Sequence, residues 1–544
     1  MRRLLVILLF GFILRTIFLG IVPPGFNADE AALGYNAYSI LKTGKDEWGE
    51  SFPLVFKSFS DYKPGLYVYL AVPFIAVLGL NEFAVRLPSI ILGLFSIYFI
   101  YLLSKEIFKK EIVSLSSAFL LAISPWHIHY SRGAWETNIA TFFILVGVWA
   151  FLKGLQKSNF FYLSAISFLG AMYSYQSPRL IIPLLALLLV TAFWREIFLR
   201  EKNNRFSINK GLIGPMIVSV LFIIPLIFIM TSNKGLARFQ GVSIFTDTGS
   251  SVRVDQKRGE HDNSNDLASK LYHNRLIAFG LDFTTHYLDH FDPQFLFISG
   301  DPLGRNKIPD MGQMYLFEIV TLLVGVYFII KTNTPYSKVI FLWLLIAPIA
   351  SSLTYQTPHA LRAANMVVPL VLISGTGLGF LLESLLRLKL LYRSVFFSGL
   401  IIVLIFFISN FFDQYFIHLP KTYALEWEYG FSQMATYVLE NKDKYKKVLI
   451  TDQYDQPYIL MLFYSKYDPI SYYQSARPTG VDKFGFSTVR SFDKFEFRPI
   501  GQDEVGKDED TLYVGTQLEI GDRDALKIIN FPNGEVAFKI VGSK

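Results

Sequence analysis

Two adjacent carboxylates, Asp29 and Glu30, follow the first hydrophobic stretch of the chain, Leu4–Val22. Charge at a membrane border is costly, and it is usually functional where it faces a cavity. The alternative is a solvated loop that turns back to the bilayer. A carboxylate within hydrogen-bond reach of a hydroxyl can remove its proton as a general base. The pair therefore predicts an acid–base site beside a membrane.

Cationic groups follow in later polar segments. Lys63 lies beside Asp61, and two similar segments run Tyr-Gln-Ser-Pro from Tyr175 and Tyr-Gln-Thr-Pro from 355. Ser177 and Thr357 are typical helix N-caps with proline at the first helical position. Arg179 and Arg362 lie in or just after the first turns of these helices. Exposed helix N-termini and arginines suit an anion such as a phosphate, although ordinary capping and interfacial arginines explain the same pattern.

A third segment, 124–136, combines aromatic, histidine and charged residues. His127 and His129 are two positions apart, which does not put them on one face of a helix, so the pattern favours a metal pair only weakly. A membrane-interface belt explains most of the aromatic residues, although one or two of them could stack on a sugar ring. These residues are Trp126, Tyr130, Trp135, Tyr173 and Tyr175.

The composition predicts a polytopic membrane protein. Of 544 residues, 52% are hydrophobic and 17% are charged, whereas soluble domains carry about 25% charged residues. The absence of cysteine excludes disulfides and thiolate chemistry. A pI of 9.0 does not indicate nucleic-acid binding, because many basic residues fall in short loops, where positive charge sets topology. We predict eleven membrane spans, at 4–22, 86–103, 112–124, 138–152, 160–173, 180–194, 211–230, 314–330, 339–352, 364–382 and 394–411.

The basic residues predict a cytoplasmic N-terminus, provided that the apolar segment 65–80, broken by Pro73, lies in the outer interface as a helix. Loops 23–85 and 231–313 then face outward. A transmembrane module, 1–411, precedes a small extracytoplasmic α/β domain, 412–544. Within that domain we predict strands at 447–451, 510–514 and 535–541, and a helix that starts at Pro457.

Several motifs together resemble a known family. They are Asp29-Glu30, Lys63-Pro64, the segment Asn81–Ser89, and Ser131-Arg132 with Glu136. The chain resembles the GT-C class of lipid carrier-dependent glycosyltransferases, in the protein O-mannosyltransferase and aminoarabinose-transferase group, family 39. The resemblance is strong over about residues 20–180 and diffuse beyond. Two departures stand out: relatives often have Asp where this chain has Glu136, and they usually read Lys-Pro-Pro where this chain has Gly65.

The resemblance implies a GT-C fold in the plasma membrane and inverting transfer of a sugar from a polyprenyl phosphate to a hydroxyl acceptor at the outer face. It makes Asp29 the catalytic base and Lys63 the lysine that meets the donor phosphate. Glu30 belongs to the same catalytic pair, but adjacent side chains do not share a direction, so we expect Glu30 to orient the loop. Arg132, Arg179 and Arg362 are expected to complete the phosphate site, supported by Glu136, Asp61 and Tyr175. Family members differ in their need for a divalent metal, so no metal ligand is assigned.

The chemistry of these residue types agrees with that expectation. A sugar phosphate is already activated, so its leaving group needs charge neutralisation more than a proton. A glycan polymerase or oligosaccharyl transferase of the same architecture is the alternative among enzymes. A lipid-glycan transporter should show charges at the membrane midplane or broken helices in related halves. The predicted spans hold little charge apart from Arg15, and the polar residues gather at one face.

Overall fold

The computed structural model describes residues 2–59, 61–198, 210–232, 235, 241–264, 266–480 and 487–543. The chain divides into two compact units. Unit 1 comprises residues 1–14, 92–130 and 137–409, and unit 2 comprises 15–91, 131–136 and 410–544. Unit 2 thus contains the predicted C-terminal domain and the predicted outer loop 23–85. The basic residues at 199–209, which belong to a predicted inner loop, lie outside the described residues.

Among the described residues before 431, helices account for nearly all regular structure. In chain order, the α-helices of five residues or more are Arg2–Thr16, Ala28–Thr43, Leu66–Leu78, Glu82–Phe108, Glu111–Ile123, Pro125–Arg132, Glu136–Gly154, Phe160–Ser174, Pro178–Ala192, Trp194–Phe198, Ile213–Thr231, Thr248–Gly259, Leu267–Tyr272, Arg275–Asp289, Glu318–Thr332, Pro335–Ile346, Val367–Leu386 and Leu390–Asp413. The predicted interfacial helix at 65–80 forms as Leu66–Leu78, with Pro73 inside it.

Six helical segments within the described residues are long and apolar enough to cross a membrane, and a bent pair formed by Glu111–Ile123 and Pro125–Arg132 could add a seventh. The six are Glu82–Phe108, Glu136–Gly154, Lys210–Thr231, Pro335–Ser352, Ala364–Leu386 and Leu390–Thr422. Three other apolar helices, among them Phe160–Ser174, have only 13 to 15 residues. The predicted number of eleven spans is therefore not confirmed, because several predicted spans form helices shorter than the roughly 20 residues of a full crossing.

Close packing in unit 1 depends on small residues. The buried helix Val367–Leu386 contacts both Glu318–Thr332 and Glu111–Ile123. A Cβ atom at Gly377 would overlap the backbone of Thr321, and one at Gly375 would overlap Ser117. Small residues let apolar helices approach closely, which is how helices associate in lipid, where no hydrophobic force drives them together.

The C-terminal part of unit 2 forms a seven-stranded mixed sheet. Its strands are β3 (Lys447–Ile450), β4 (Arg477–Pro478), β5 (Val489–Phe492), β6 (Phe495–Phe497), β7 (Thr511–Gly515), β8 (Lys527–Asn530) and β9 (Val536–Gly542). The first two strands of the chain, β1 (Val55–Lys57) and β2 (Tyr62–Pro64), form a separate short hairpin. The order is β4-β5-β6-β3-β7-β9-β8, and β3 is parallel to both of its neighbours. Helices Phe431–Asn441, Pro457–Ser465 and Pro469–Ser475 complete this part. The predicted strands at 447–451, 510–514 and 535–541 and the helix start at Pro457 are confirmed.

Candidate functional site

The two adjacent carboxylates lie in the first turn of the helix Ala28–Thr43 rather than in a loop. Asn27 is the N-cap, and its side-chain oxygen accepts a hydrogen bond from the backbone N–H of Glu30 at 3.1 Å. Acidic residues at a helix N-terminus are favoured by the helix dipole. A cap residue followed three positions later by glutamate is a sequence signal for a helix start, so this helix could have been predicted.

Glu30 is the fully buried member of the pair. Its two carboxylate oxygens accept hydrogen bonds from Arg86 Nε at 2.9 Å and Nη2 at 2.8 Å. The backbone N–H of Ala134 donates to Glu30 at 2.7 Å, and the Asn27 amide donates at 3.3 Å. Arg86 also donates to the carbonyl of Gly25 at 2.6 Å. These contacts join three chain segments around one charge, and the role of Glu30 in orienting its segment stays a prediction.

Asp29 faces a different partner. Its Oδ1 accepts a hydrogen bond from Lys63 Nζ at 2.5 Å, and the Asp29 and Lys63 side chains remain 34% and 15% exposed. Lys63 stands on β2, where it is paired with Phe56 of β1. A short hairpin, rather than the loop predicted around Lys63, therefore presents the lysine to the helix N-terminus.

Lys63 is surrounded by negative charge. Burial by itself lowers the pKa of Lys63, but the charges of Asp29, Glu136 and Asp61 outweigh burial, so the pKa lies above its ordinary value. Glu136 is the first residue of its helix and is 8% exposed, whereas Asp61 is half-buried. The predicted supporting carboxylates therefore lie within electrostatic reach of Lys63, and the lysine is a stable cation here.

Gly65 replaces the second proline of the family pattern for a local reason. A Cβ atom at this position would lie 2.6 Å from the Phe56 ring and 3.0 Å from the carbonyl oxygen of Leu54. The Gly65 backbone N–H also donates to that carbonyl at 3.0 Å, and proline has no N–H to donate. The hairpin that carries Lys63 is thus built around glycine.

Glu47 is a buried carboxyl group that the sequence did not single out. Its side chain is 2% exposed and accepts a hydrogen bond from Trp48 Nε1 at 3.1 Å, while its backbone N–H donates to Asn36 Oδ1 at 2.9 Å. Burial and the neighbouring charge of Asp46 raise the pKa of Glu47 to about 8, although the charge of Lys63 opposes that shift. Glu47 is therefore largely uncharged at neutral pH. No local pattern marks it, because its burial arises from distant segments.

Arg132, predicted for the donor phosphate, is fully buried. Its guanidinium donates to the carbonyl of Val22 at 2.6 Å and lies 5.3 Å and 5.2 Å from the ring centroids of Tyr415 and Phe416. Such cation–π contacts are strongest where the cation is desolvated. In this conformation Arg132 holds chain segments together, and a direct role at the phosphate stays a prediction.

Arg179 and Arg362 line one cavity in unit 1. The cavity has a volume of about 450 Å³, and its wall also includes Tyr175, Thr354 and Ser243. Arg179 Nη1 donates to Gln176 Oε1 at 3.1 Å, and Arg362 Nη1 donates to Thr354 Oγ1 at 2.6 Å. The structure thus brings together two of the four predicted phosphate ligands, and it places Lys63 and Arg132 in the other unit.

The two predicted helix N-caps have different outcomes. A helix does begin at Pro178, although the Ser177 side chain makes no capping hydrogen bond. The prediction for Thr357 is wrong, because the next helix begins only at Val367, after a 3₁₀ turn from Ala364.

Buried side chains explain why no helix begins at Thr357. Its hydroxyl donates to Asp289 at 3.1 Å, and the backbone N–H of Ala360 donates to Asp301 at 2.5 Å. The backbone N–H of His359 donates to His290 at 3.3 Å. Burial raises the pKa of Asp301 to about 6 and lowers that of His290 to about 4. The N–H groups that would have formed a free helix end are already satisfied.

The predicted aromatic belt is wrong for most of its members. Trp126, Tyr130 and Trp135 are at most 3% exposed and Tyr175 is 9% exposed. Trp126 donates to the carbonyl of Ala360 at 3.2 Å. Trp126 and Tyr130 fill the protein interior, because segment 125–132 is a buried helix rather than the predicted outer turn. Among the described residues, no group of three or more His, Asp or Glu side chains could hold a metal ion.

The sequence matches the family described as dolichyl-phosphate-mannose-protein mannosyltransferase over residues 62–230. A comparison with curated protein sequences finds no match. Among solved structures, the chain is similar to ArnT from Cupriavidus metallidurans in the apo state, with a TM-score of 0.52 and 10% identity. That similarity covers 99% of this chain and 97% of ArnT.

The chain is also similar to the archaeal oligosaccharyltransferase AglB from Archaeoglobus fulgidus, with a TM-score of 0.50 and 14% identity. This similarity covers 85% of this chain and 63% of AglB, so the chain spans less than two thirds of that protein. The predicted fold class, a polytopic α-helical membrane protein with a strand-containing C-terminal part, is confirmed. The family match and the shared folds also confirm the resemblance to GT-C glycosyltransferases of the protein O-mannosyltransferase type.

Proposed function

We propose that this chain is an integral-membrane glycosyltransferase that moves a sugar from a polyprenyl-phosphate carrier to a hydroxyl acceptor, which could be a protein, a lipid or a glycan. The observation that carries the proposal is the Asp29–Lys63 pair, a partly exposed carboxylate beside a lysine. The adjacent Glu30 carboxylate accepts four hydrogen bonds and so fixes the helix turn that presents Asp29. The match to the mannosyltransferase family over residues 62–230 supports the same reaction class.

The reaction follows from the groups that this site provides. Asp29 accepts the proton of the acceptor hydroxyl as that oxygen forms a bond to the anomeric carbon of the sugar. The bond between the anomeric carbon and the phosphate oxygen breaks, and polyprenyl phosphate leaves with the bonding electron pair. Lys63 neutralises the charge that develops on the leaving group. A single displacement of this kind inverts the anomeric centre, whereas retention would require a covalent intermediate.

The arginine cavity of unit 1 supports binding of an anionic group. Arginine forms strong, charge-assisted hydrogen bonds with phosphate oxygens, and Arg179 and Arg362 both line this cavity. The similar archaeal oligosaccharyltransferase was determined in complex with an inhibitory peptide and a dolichol-phosphate. We assign the phosphate of the donor or of the released carrier to these arginines, with Tyr175 at the same wall.

The alternative is transfer of an assembled glycan, because the fold is shared with an oligosaccharyltransferase. The two functions differ in their donor, and the acceptor could be the same. A monosaccharide donor is favoured by the family match, since the matched family takes its name from a mannosyl donor.

The decisive experiment is a transfer assay with the purified full-length chain in liposomes. Polyprenyl-phosphate mannose is the first radiolabelled donor, followed by other polyprenyl-phosphate sugars and by a lipid-linked oligosaccharide. We expect transfer or hydrolysis from a monosaccharide donor, lost in Asp29→Asn, with inversion at the anomeric carbon. Turnover of the oligosaccharide alone would favour the alternative, and a product with retained configuration would overturn the single displacement.

The proposal also includes an orientation. We propose a multi-pass protein of the plasma membrane with a cytoplasmic N-terminus and an extracytoplasmic active site and C-terminal sheet, because basic residues concentrate in the predicted inner loops. We expect a signal from a reporter enzyme that folds only outside the cytoplasm when it is fused after Lys544. Activity of a cytoplasm-specific reporter at the same position would overturn the orientation and the placement of the site.

A further inference from the structure

The helix Arg275–Asp289, in the second outer loop, exposes an uncharged stripe along its length. Ile277, Leu281, Thr284 and Leu288 follow one another at spacings of four, three and four residues, which places them on one face of an α-helix. Leu281 and Leu288 are 63% and 59% exposed, and Thr284 is exposed as well. These four residues are called the outer-loop stripe.

The other sides of the same helix pack on protein. The Phe279 ring lies 5.3 Å from that of Phe245. Asp282 accepts a hydrogen bond from Arg253 at 2.6 Å, and the Tyr287 hydroxyl donates to the backbone carbonyl of Leu345 at 2.8 Å. The helix is therefore held by its polar and aromatic sides. Ile277 and Leu281 also border a shallow cleft with Arg253 and Lys257, so the outer-loop stripe runs along the outer edge of this contact.

The contact with Leu345 indicates what covers the stripe. Leu345 lies near the end of the helix Pro335–Ile346, in a segment long and apolar enough to cross a membrane. Leu342 and Leu345 are 43% and 47% exposed on this segment, so they face lipid when the segment spans a bilayer. The helix Arg275–Asp289 also contacts Ile349–Ser352, the last turn of that segment. It thus lies beside the terminal part of a membrane span, where the acyl chains meet the headgroups.

We propose that the helix Arg275–Asp289 is a membrane-surface helix whose outer-loop stripe is buried in the headgroup and acyl boundary of the bilayer. A helix with an apolar face and a polar opposite face binds in this way, lying in the plane of the interface. The short helix before it adds exposed apolar side chains, since Leu267, Leu271 and Tyr272 are 82%, 59% and 65% exposed. The exposed Lys270 and Arg275 suit the headgroup level.

This helix lies behind the wall of the arginine cavity. Phe245, which its Phe279 contacts, is two residues from Ser243, and Ser243 lines the cavity together with Val242. Ser243 also bridges to Thr354, the hydroxyl partner of Arg362. A lipid-held helix therefore supports the segment that closes one side of the cavity.

The chain contains no cysteine, so single cysteines can be labelled without altering any other residue. We would prepare Leu281→Cys, Leu288→Cys and Thr284→Cys, attach a nitroxide to each, and reconstitute the full chain into vesicles of phosphatidylcholine and phosphatidylglycerol. Asp262→Cys, at an exposed polar position in the same loop, is the matched control. Collision with oxygen reports lipid, and collision with a water-soluble nickel chelate reports water.

We expect the three stripe probes to collide with oxygen and to lose collisions with the nickel chelate relative to the Asp262→Cys probe. Thr284→Cys is the safeguard, because it replaces an exposed polar residue and so does not depend on losing an apolar contact. The proposal would be overturned if all three stripe probes collided with the nickel chelate as often as the probe at residue 262. The stripe would then be a surface for another protein. Neither readout uses transfer activity, so this test fails or succeeds independently of the proposed function.

Discussion

The two ion pairs that begin at adjacent residues, Asp29–Lys63 and Glu30–Arg86, are built in opposite ways. The Glu30 and Arg86 side chains are at most 1% exposed, and the Glu30 carboxylate accepts four hydrogen bonds. The Asp29 and Lys63 side chains keep 34% and 15% of their exposure. A buried, saturated pair fixes geometry but cannot meet a substrate. A partly exposed pair can exchange its partner, so the comparison assigns structure to one pair and chemistry to the other.

The largest effect should come from Asp29→Asn, which keeps the size of the side chain but removes its basicity. Loss of a general base typically costs about 10²–10⁴-fold, so the transfer rate should fall by that order while donor affinity and thermal stability persist. The measurement is single-turnover transfer with a polyprenyl-phosphate sugar, alongside donor binding. Asp61→Asn is the matched control, since this half-buried carboxylate also faces Lys63 and should lose much less. Near-normal turnover in Asp29→Asn would move the base to Glu136 or Asp61.

The second effect should be on stability rather than on chemistry. Glu30→Gln leaves the Arg86 guanidinium buried without its counter-charge, and breaking a buried pair in this way costs roughly 3–5 kcal/mol. The thermal midpoint of the detergent-solubilised chain should fall clearly, whereas Glu509→Gln, at an exposed carboxylate, should leave it unchanged. Replacing both partners, Glu30→Met with Arg86→Met, should recover part of the loss. An unchanged midpoint in Glu30→Gln would show that the two pairs do not differ as described.

A third prediction tests whether the arginine cavity serves the same reaction. Arg179→Ala and Arg362→Ala each remove a charged hydrogen-bond donor, worth about 1.5–3 kcal/mol, so the donor KM should rise roughly 10-fold to 150-fold. The change should lie mainly in KM and leave kcat less affected. Arg477→Ala, at an exposed position in the C-terminal part, is the control. An unchanged donor KM in both cavity variants would confine donor binding to the Asp29–Lys63 region.

The smallest effect, counted per pH unit, concerns the pH dependence of stability and Glu47, which lies within the electrostatic reach of Lys63. Its pKa, about 8 in the folded chain, lies above the ordinary value, so the folded state binds more protons than the unfolded state between about pH 4.5 and 8. Stability should therefore fall as pH rises through this window, by up to about 1.4 kcal/mol per pH unit from this group. Glu47→Gln cannot titrate, and its thermal midpoint should depend less steeply on pH between 5 and 8. Equal slopes in the two proteins would contradict the buried, protonated state of Glu47.

Local patterns in the sequence predicted much of the molecule. Apolar runs of about membrane length identified the membrane class, and short runs of β-branched, apolar and aromatic residues identified β3, β7 and β9, because both patterns arise from neighbours in the chain. Asp29 and Lys63 were recognisable by type and by motif. The helix start at Asn27 is encoded as well, in a cap residue followed by Glu30, although the sequence prediction places this segment in a loop.

The tertiary structure decided how these residues are used. Asp29 meets Lys63 across 34 residues of chain, and Glu30 meets Arg86 across 56. Thr357 carries the pattern of an N-cap, yet the segment after it is satisfied by Asp301 and His290 from another segment. A sequence pattern reports the preferences of neighbouring residues. Burial and long-range pairing depend on which distant segments close around a charge, so only the folded chain separates the exposed carboxylate of Asp29 from the buried one of Glu30.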